Sequence, residues 1–98
     1  MTVILHTLNA LPTSSAFDDC LRVAAAGDAI LLLGDGVYAA IDDTRACSKL
    51  LASGADIHIL SPDAQAAGVC HGIERFTLVD MEGFVELTER YPRQQAWY

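Results

Sequence analysis

Three cysteines, Cys20, Cys47 and Cys70, and three histidines, His6, His58 and His71, hold most of the nucleophilic and proton-transfer chemistry open to this chain. A cysteine acts as a nucleophile only as its thiolate, so its neighbours decide what it can do. Cys20 falls with Phe17, Leu21 and Ala24 in an i, i+3, i+4, i+7 set, the core-facing pattern of a helix. That spacing describes a small buried hydrophobe. A reactive Cys20 needs a place at the edge of the apolar stripe, and Asp18 and Asp19 oppose its ionisation unless a partner brings positive charge. Cys47 lies between Arg45 and Lys49, which favour a thiolate, but nothing close in sequence would act with it. Cys70 and His71 suggest a thiolate–imidazolium pair, although adjacent residues seldom point the same way. His6 ends an apolar run, where it could donate a hydrogen bond or titrate near neutrality, or serve as a satisfied structural histidine. His58 alternates with Ile57 and Ile59 and reads as structural. No C-x-x-C pair offers zinc or thioredoxin-like spacing. No Ser-His-Asp set or carboxylate pair stands out.

Gly34-Asp35-Gly36 has two readings. Free N–H groups at a helix start attract anions, which makes Asp35 and Gly36 candidate binding residues of a small anion-binding module. The turn is neither G-x-G-x-x-G nor a P-loop, and Asp35 adds an opposing charge. The plainer reading is a tight turn in which glycine supplies positive φ.

The elements that must position these residues alternate. Thr2 to His6 is β-branched and apolar, a first strand. Ser15 with Asp18 resembles a capping box opening a helix to about Ala26, stopped by Gly27. Asp28 to Leu33 is a second strand, apolar on both faces as in a covered parallel sheet. Val37 to Leu51 reads as helix, in one piece or two around Asp42-Asp43. Asp56 to Leu60 is a third strand, Ser61 to Ala67 a short helix, Gly68 to Glu74 a loop, Arg75 to Val79 a fourth strand and Met81 to Arg90 a last helix before Pro92. Strands separated by helices imply right-handed parallel crossovers. The expected architecture is an α/β three-layer sandwich, with a mostly parallel sheet of four to five strands flanked by helices. Ligands of such sheets gather beyond the carboxyl ends of the strands, here His6-Thr7, Gly34 to Gly36, Ser61 to Asp63, and Asp80.

The chain has 98 residues and is 52% apolar, above the usual ~45–50%, so residues 1–98 are expected to form one folded domain with a surplus suited to a buried interface. The net charge of −7 and only six Lys and Arg argue against direct nucleic-acid binding, which draws on cations that neutralise phosphates. No apolar stretch approaches the ~20 residues of a membrane span, and the start lacks signal-peptide character. An odd, widely spaced set of thiols argues against a disulfide framework and suits a reducing cytoplasm.

Three stretches resemble the DsrH/TusB family of sulfur-relay subunits. They are Ile4-Leu5-His6-Thr7, then Leu31-Leu32-Leu33-Gly34-Asp35-Gly36-Val37-Tyr38-Ala39-Ala40, and Gly83-Phe84-Val85-Glu86-Leu87-Thr88 followed by Gln95-Ala96-Trp97. Together they cover essentially the whole chain. The resemblance implies a DsrE-like fold, with no metal or organic cofactor. It also implies a heterohexamer of two copies each of three related subunits, this chain joining DsrE/TusD-like and DsrF/TusC-like sisters. Such complexes pass persulfide sulfur between cysteines toward a DsrC/TusE-like acceptor protein. The DsrH branch serves dissimilatory sulfur oxidation and the TusB branch 2-thiolation of the tRNA wobble uridine.

A first-helix cysteine is a DsrH-like feature that many TusB-like members lack, so the resemblance is closer to DsrH and makes Cys20 the candidate persulfide carrier. The main acceptor cysteine of the DsrE/TusD sisters resembles a position after the third strand, where this chain has Ser61-Pro62-Asp63-Ala64 and no thiol. The chain is therefore expected to be a supporting subunit, with an auxiliary thiol or with no chemistry of its own. The terminal aromatics Trp97 and Tyr98 are expected to fold back on the domain or to dock on a neighbour, since Trp, Tyr and Arg anchor interfaces.

Overall fold

The computed structural model describes residues 2–69 and 75–98. Five strands form one sheet: β1 (Leu5–Leu8), β2 (Ala29–Leu32), β3 (Asp56–Leu60), β4 (Thr77–Val79) and β5 (Gln94–Trp97). Their order is β4-β3-β2-β1-β5, and every pairing is parallel. The connections carry α1 (Ser15–Val23), a 3-10 helix over Gly34–Ala40, α2 (Arg45–Ala52), α3 (Ser61–Ala67) and α4 (Met81–Arg90).

Side chains alternate across a strand, and β2 shows it clearly. Ile30 and Leu32 enter a larger core with Leu8, Phe17, Cys20, Val37, Leu50 and Ile59, beneath α1, the 3-10 helix and α2. Ala29 and Leu31 face the other way, meeting Leu5, Leu60, Leu87 and Tyr91 under α4. All four β2 residues are buried, the mark of a strand covered on both faces. The layers are those expected, and the fifth strand is the tail.

Local chemistry sets the boundaries. Ser14, not Ser15, caps α1, its hydroxyl accepting from Phe17 N at 3.4 Å from an extended backbone. The helix ends at Val23, earlier than expected, and Gly27 at φ +94° turns the chain into β2. The expected helix over Val37 to Leu51 is in two pieces. Asp43 takes φ +61° between them, and Thr44 caps α2 by accepting from Cys47 N at 3.2 Å. Asn and Asp are the non-glycine residues that best tolerate this left-handed region. The crossover from β4 through α4 runs from one edge of the sheet to the other, so residues 94–97 pair with β1. Leu5 N donates to the Arg93 carbonyl at 2.9 Å and Asn9 N to the Trp97 carbonyl at 2.8 Å.

Candidate functional site

Two groups of polar side chains stand out, one inside the sheet and one beyond its carboxyl end. The inner group centres on His6. It does not end β1 as the sequence suggested: it lies within the strand, fully buried, opposite Ile30 and Gln95. Its Nε2 lies 2.9 Å from Asp28 Oδ2, and its Nδ1 accepts from Trp97 Nε1 at 3.1 Å. An indole N–H only donates. Nδ1 must therefore hold the lone pair and Nε2 the proton, which is given to Asp28. The Asp28 carboxylate also accepts from Ile4 N at 3.0 Å and Ala25 N at 3.1 Å. Burial pushes the Asp28 pKa up, but the bonds from His6, Ile4 and Ala25 outweigh it and hold the carboxyl below its ordinary range. With both ring nitrogens engaged, His6 has neither a lone pair nor a proton to offer a substrate. These bonds tie β5 to β1 and to the start of β2.

The outer group surrounds Gly34-Asp35-Gly36, beyond β1, β2 and β3 as the strand order requires. Its three N–H groups are already taken. Gly34 N donates to Asp63 Oδ2 at 2.7 Å, Asp35 N to Asn9 Oδ1 at 3.1 Å and Gly36 N to the Leu33 carbonyl at 2.9 Å. The Asp63 carboxylate sits where a bound anion would sit, so the anion-site reading of Asp35 and Gly36 loses its donors. The glycines are required for space. Gly34 has φ +52°, and a Cβ on Gly36 would stand 2.0 Å from the Leu8 carbonyl oxygen. A shallow hollow of about 200 Å³ between Asp35, Tyr38, Asp63 and Ala66 is what remains open there.

Both described thiols, Cys20 and Cys47, are buried. Cys20 is fully buried on the core face of α1, and burial pushes its pKa up to about 12. Cys47 is buried near the start of α2, with Arg75 Nη2 at 3.4 Å from Sγ. Burial raises its pKa above the ordinary thiol value, and Arg75 pulls in the opposite direction without prevailing. Arg75 also donates to Asp42. Nothing in the sequence pointed to Arg75 as the neighbour of Cys47, 28 residues away. The Cys70–His71 pair lies outside the described residues. Trp97 is half-buried and Tyr98 is 89% exposed. Among the described residues no group of three or more His, Cys, Asp or Glu is arranged to hold a metal ion. No helix among them is long and apolar enough to cross a membrane.

Comparison with known proteins agrees with this architecture. A family model described as DsrH like protein matches residues 12–94. Protein TusB of Pectobacterium parmentieri is 40% identical over 95 residues, spanning 96% of this chain and 100% of that protein. Protein TusB of Escherichia coli K12 is 38% identical with the same coverage. Among solved structures, the ychN protein of E. coli matches with a TM-score of 0.71 over 98% of this chain and 99% of its own, at 12% identity. Tm0979 of Thermotoga maritima matches with a TM-score of 0.67 over 89% and 92%, at 22% identity. These structural likenesses speak for the fold, whereas the full-length sequence matches speak for descent. The chain belongs to the DsrH/TusB family of sulfur-relay subunits.

Proposed function

We propose that this chain is a positioning subunit of a cytoplasmic sulfur-relay complex, one that joins sister subunits and leaves sulfur transfer to their cysteines. The sisters are DsrE/TusD-like and DsrF/TusC-like chains, two copies of each subunit making a heterohexamer that loads a DsrC/TusE-like acceptor. Persulfide transfer needs an accessible thiolate. It attacks the terminal sulfur of the donor persulfide, and the donor leaves as a thiolate while the attacker becomes the persulfide. The observation that carries this reading is the burial of Cys20, fully enclosed with its thiol pushed up to about 12. At neutral pH such a thiol is protonated and out of a donor's reach. The stretch after β3 that resembles the position of the sisters' carrier cysteine is Ser61-Pro62-Asp63-Ala64 here, without a thiol, and its Asp63 accepts from Gly34 N.

What the chain offers a partner is surface. Tyr98 is exposed beyond β5, and β5 is an edge strand of the sheet. The name TusB carried by the full-length relatives favours delivery toward tRNA 2-thiolation over sulfur oxidation.

Co-expression with both sisters, native mass spectrometry of the assembly and peptide mass spectrometry after incubation with a persulfide donor test the proposal. Cys20→Ser should leave assembly and sulfur delivery unchanged, whereas Trp97→Ala should weaken assembly. If the serine variant assembles normally but no longer delivers sulfur, and wild-type Cys20 gains one sulfur atom, Cys20 is the carrier and the positioning role is rejected.

A further inference from the structure

A groove of about 440 Å³ opens at the amino-terminal ends of β3 and β4, at the opposite end of the sheet from Gly34-Asp35-Gly36. Its volume falls within the ~300–1,000 Å³ usual for small-molecule sites. One wall is apolar, formed by Leu51, Ile57 and Phe76; the other carries His58, Arg75 and Arg90. On a chain of net charge −7, two of its six Lys and Arg residues line this one groove, Arg75 paired with Asp42. Arg22, Lys49 and Arg75 each have a carboxylate partner, whereas Arg45, Arg90 and Arg93 have no ion-pair partner among the described residues, and of these three only Arg90 lines the groove. Asp56 also lines the groove and opposes an anion; it is exposed, at the first position of β3.

His58 is the second observation. It sits on the α4 face of β3, opposite Leu31 and Thr77. Its Nδ1 is buried and has no hydrogen-bond partner among the described residues, the only side-chain atom among them in that condition. Buried polar atoms are nearly always satisfied, and an orphan asks for a reason. Burial lowers the His58 pKa; Asp56 raises it and Arg90 lowers it further. The imidazole is thus kept neutral beside an unpaired guanidinium, and an anion seated between them would favour its protonated form.

We propose that this groove binds a small organic anion, an apolar body bearing a carboxylate or a phosphate, whose charged end is held by Arg90 and His58 and whose body lies on Leu51, Ile57 and Phe76. A guanidinium matches the two oxygens of either group in a planar fork.

Phenyl phosphate, benzoate and inorganic phosphate are the probes, titrated into the full chain and followed by amide and imidazole NMR. At least one organic anion should shift the Thr77 amide and His58 ring resonances and raise the midpoint of the His58 titration. The stronger of the two identifies the charged group preferred. Inorganic phosphate, which cannot use the apolar wall, should bind more weakly. Arg90→Gln should weaken binding on the order of tenfold or more, the loss of a charge-assisted bond, and should abolish the ligand-induced rise at His58 while circular dichroism stays that of the wild type. The site is rejected if neither organic anion moves these resonances. It is also rejected if Arg90→Gln binds as the wild type does, or if inorganic phosphate binds as tightly as the organic probes.

Discussion

Replacing Trp97 with Phe removes one N–H group and little else, and the structure states what that should cost. The indole N–H donates to His6 Nδ1 at 3.1 Å, and His6 is fully buried. Phe keeps most of the apolar contact, and the backbone pairing of β5 with β1 does not depend on the indole. What remains is a buried acceptor without a donor, a penalty of about 1–3 kcal/mol. For a domain of this length each kcal/mol lowers the melting temperature by ~4–8 °C. Trp97 is the only tryptophan, so the variant must be followed by far-ultraviolet circular dichroism in urea, with an unchanged slope showing that the unfolding reaction is the same. His6→Leu closes a double-mutant cycle. That change alone removes one of the three hydrogen bonds to the buried Asp28 carboxylate, which keeps those from Ile4 N and Ala25 N, a loss of about 1.5–3 kcal/mol. In its absence the Trp97→Phe change has no acceptor to strand, so the two effects should fall short of additivity by ~1 kcal/mol or more. Equal effects of Trp97→Phe in both backgrounds would refute the hydrogen-bond chain from Asp28 through His6 to Trp97.

Other consequences can be checked separately. Because the Asp28 pKa is depressed in the folded state, its stabilising contribution is fully present above the ordinary carboxylate value of about 3.9 and is lost as pH falls through the lower folded value. Urea midpoints measured across the acid range should therefore decline less steeply for Asp28→Asn than for the wild type, and parallel curves would contradict the assignment. Gly36→Ala drives a Cβ into the Leu8 carbonyl oxygen and should destabilise by about 1–3 kcal/mol, the usual cost of overpacking; an unchanged melting temperature would mean that the backbone yields there. Cys20 should react with thiol reagents only as fast as the native state opens, and labelling of Cys20 at the rate of an unstructured peptide would show that its burial is wrong. Asp63→Ala, which strands Gly34 N, should cost about 1–2 kcal/mol by the same reckoning as other lost caps.

Much of the fold was legible because its signals are local. The run Asp28 to Leu33 reads as a strand covered on both faces, and Ala29–Leu32 within it form that strand. The i, i+3, i+4 spacing of Phe17, Cys20 and Leu21 placed the Cys20 thiol toward the core, where it lies. The break near Asp42-Asp43 was visible as charge inside a helical pattern. The fifth strand was not legible as a strand. Gln94, Gln95 and Ala96 have little strand preference and remain exposed, so their pairing with β1 comes from where α4 delivers the chain.

The candidate site divides along the same line. The sequence alone determined the α/β alternation, the family, the core-facing spacing of Cys20 and the lack of a thiol after β3, because periodicity and motif are properties of neighbouring residues. Only the tertiary structure decided that both ring nitrogens of His6 are engaged, since its partners Asp28 and Trp97 stand 22 and 91 residues away. It also decided that the Gly34 N–H donates to Asp63, 29 residues on. A hydrogen bond joins groups that packing brings within about 3 Å, and no spacing along the chain encodes which distant groups those will be.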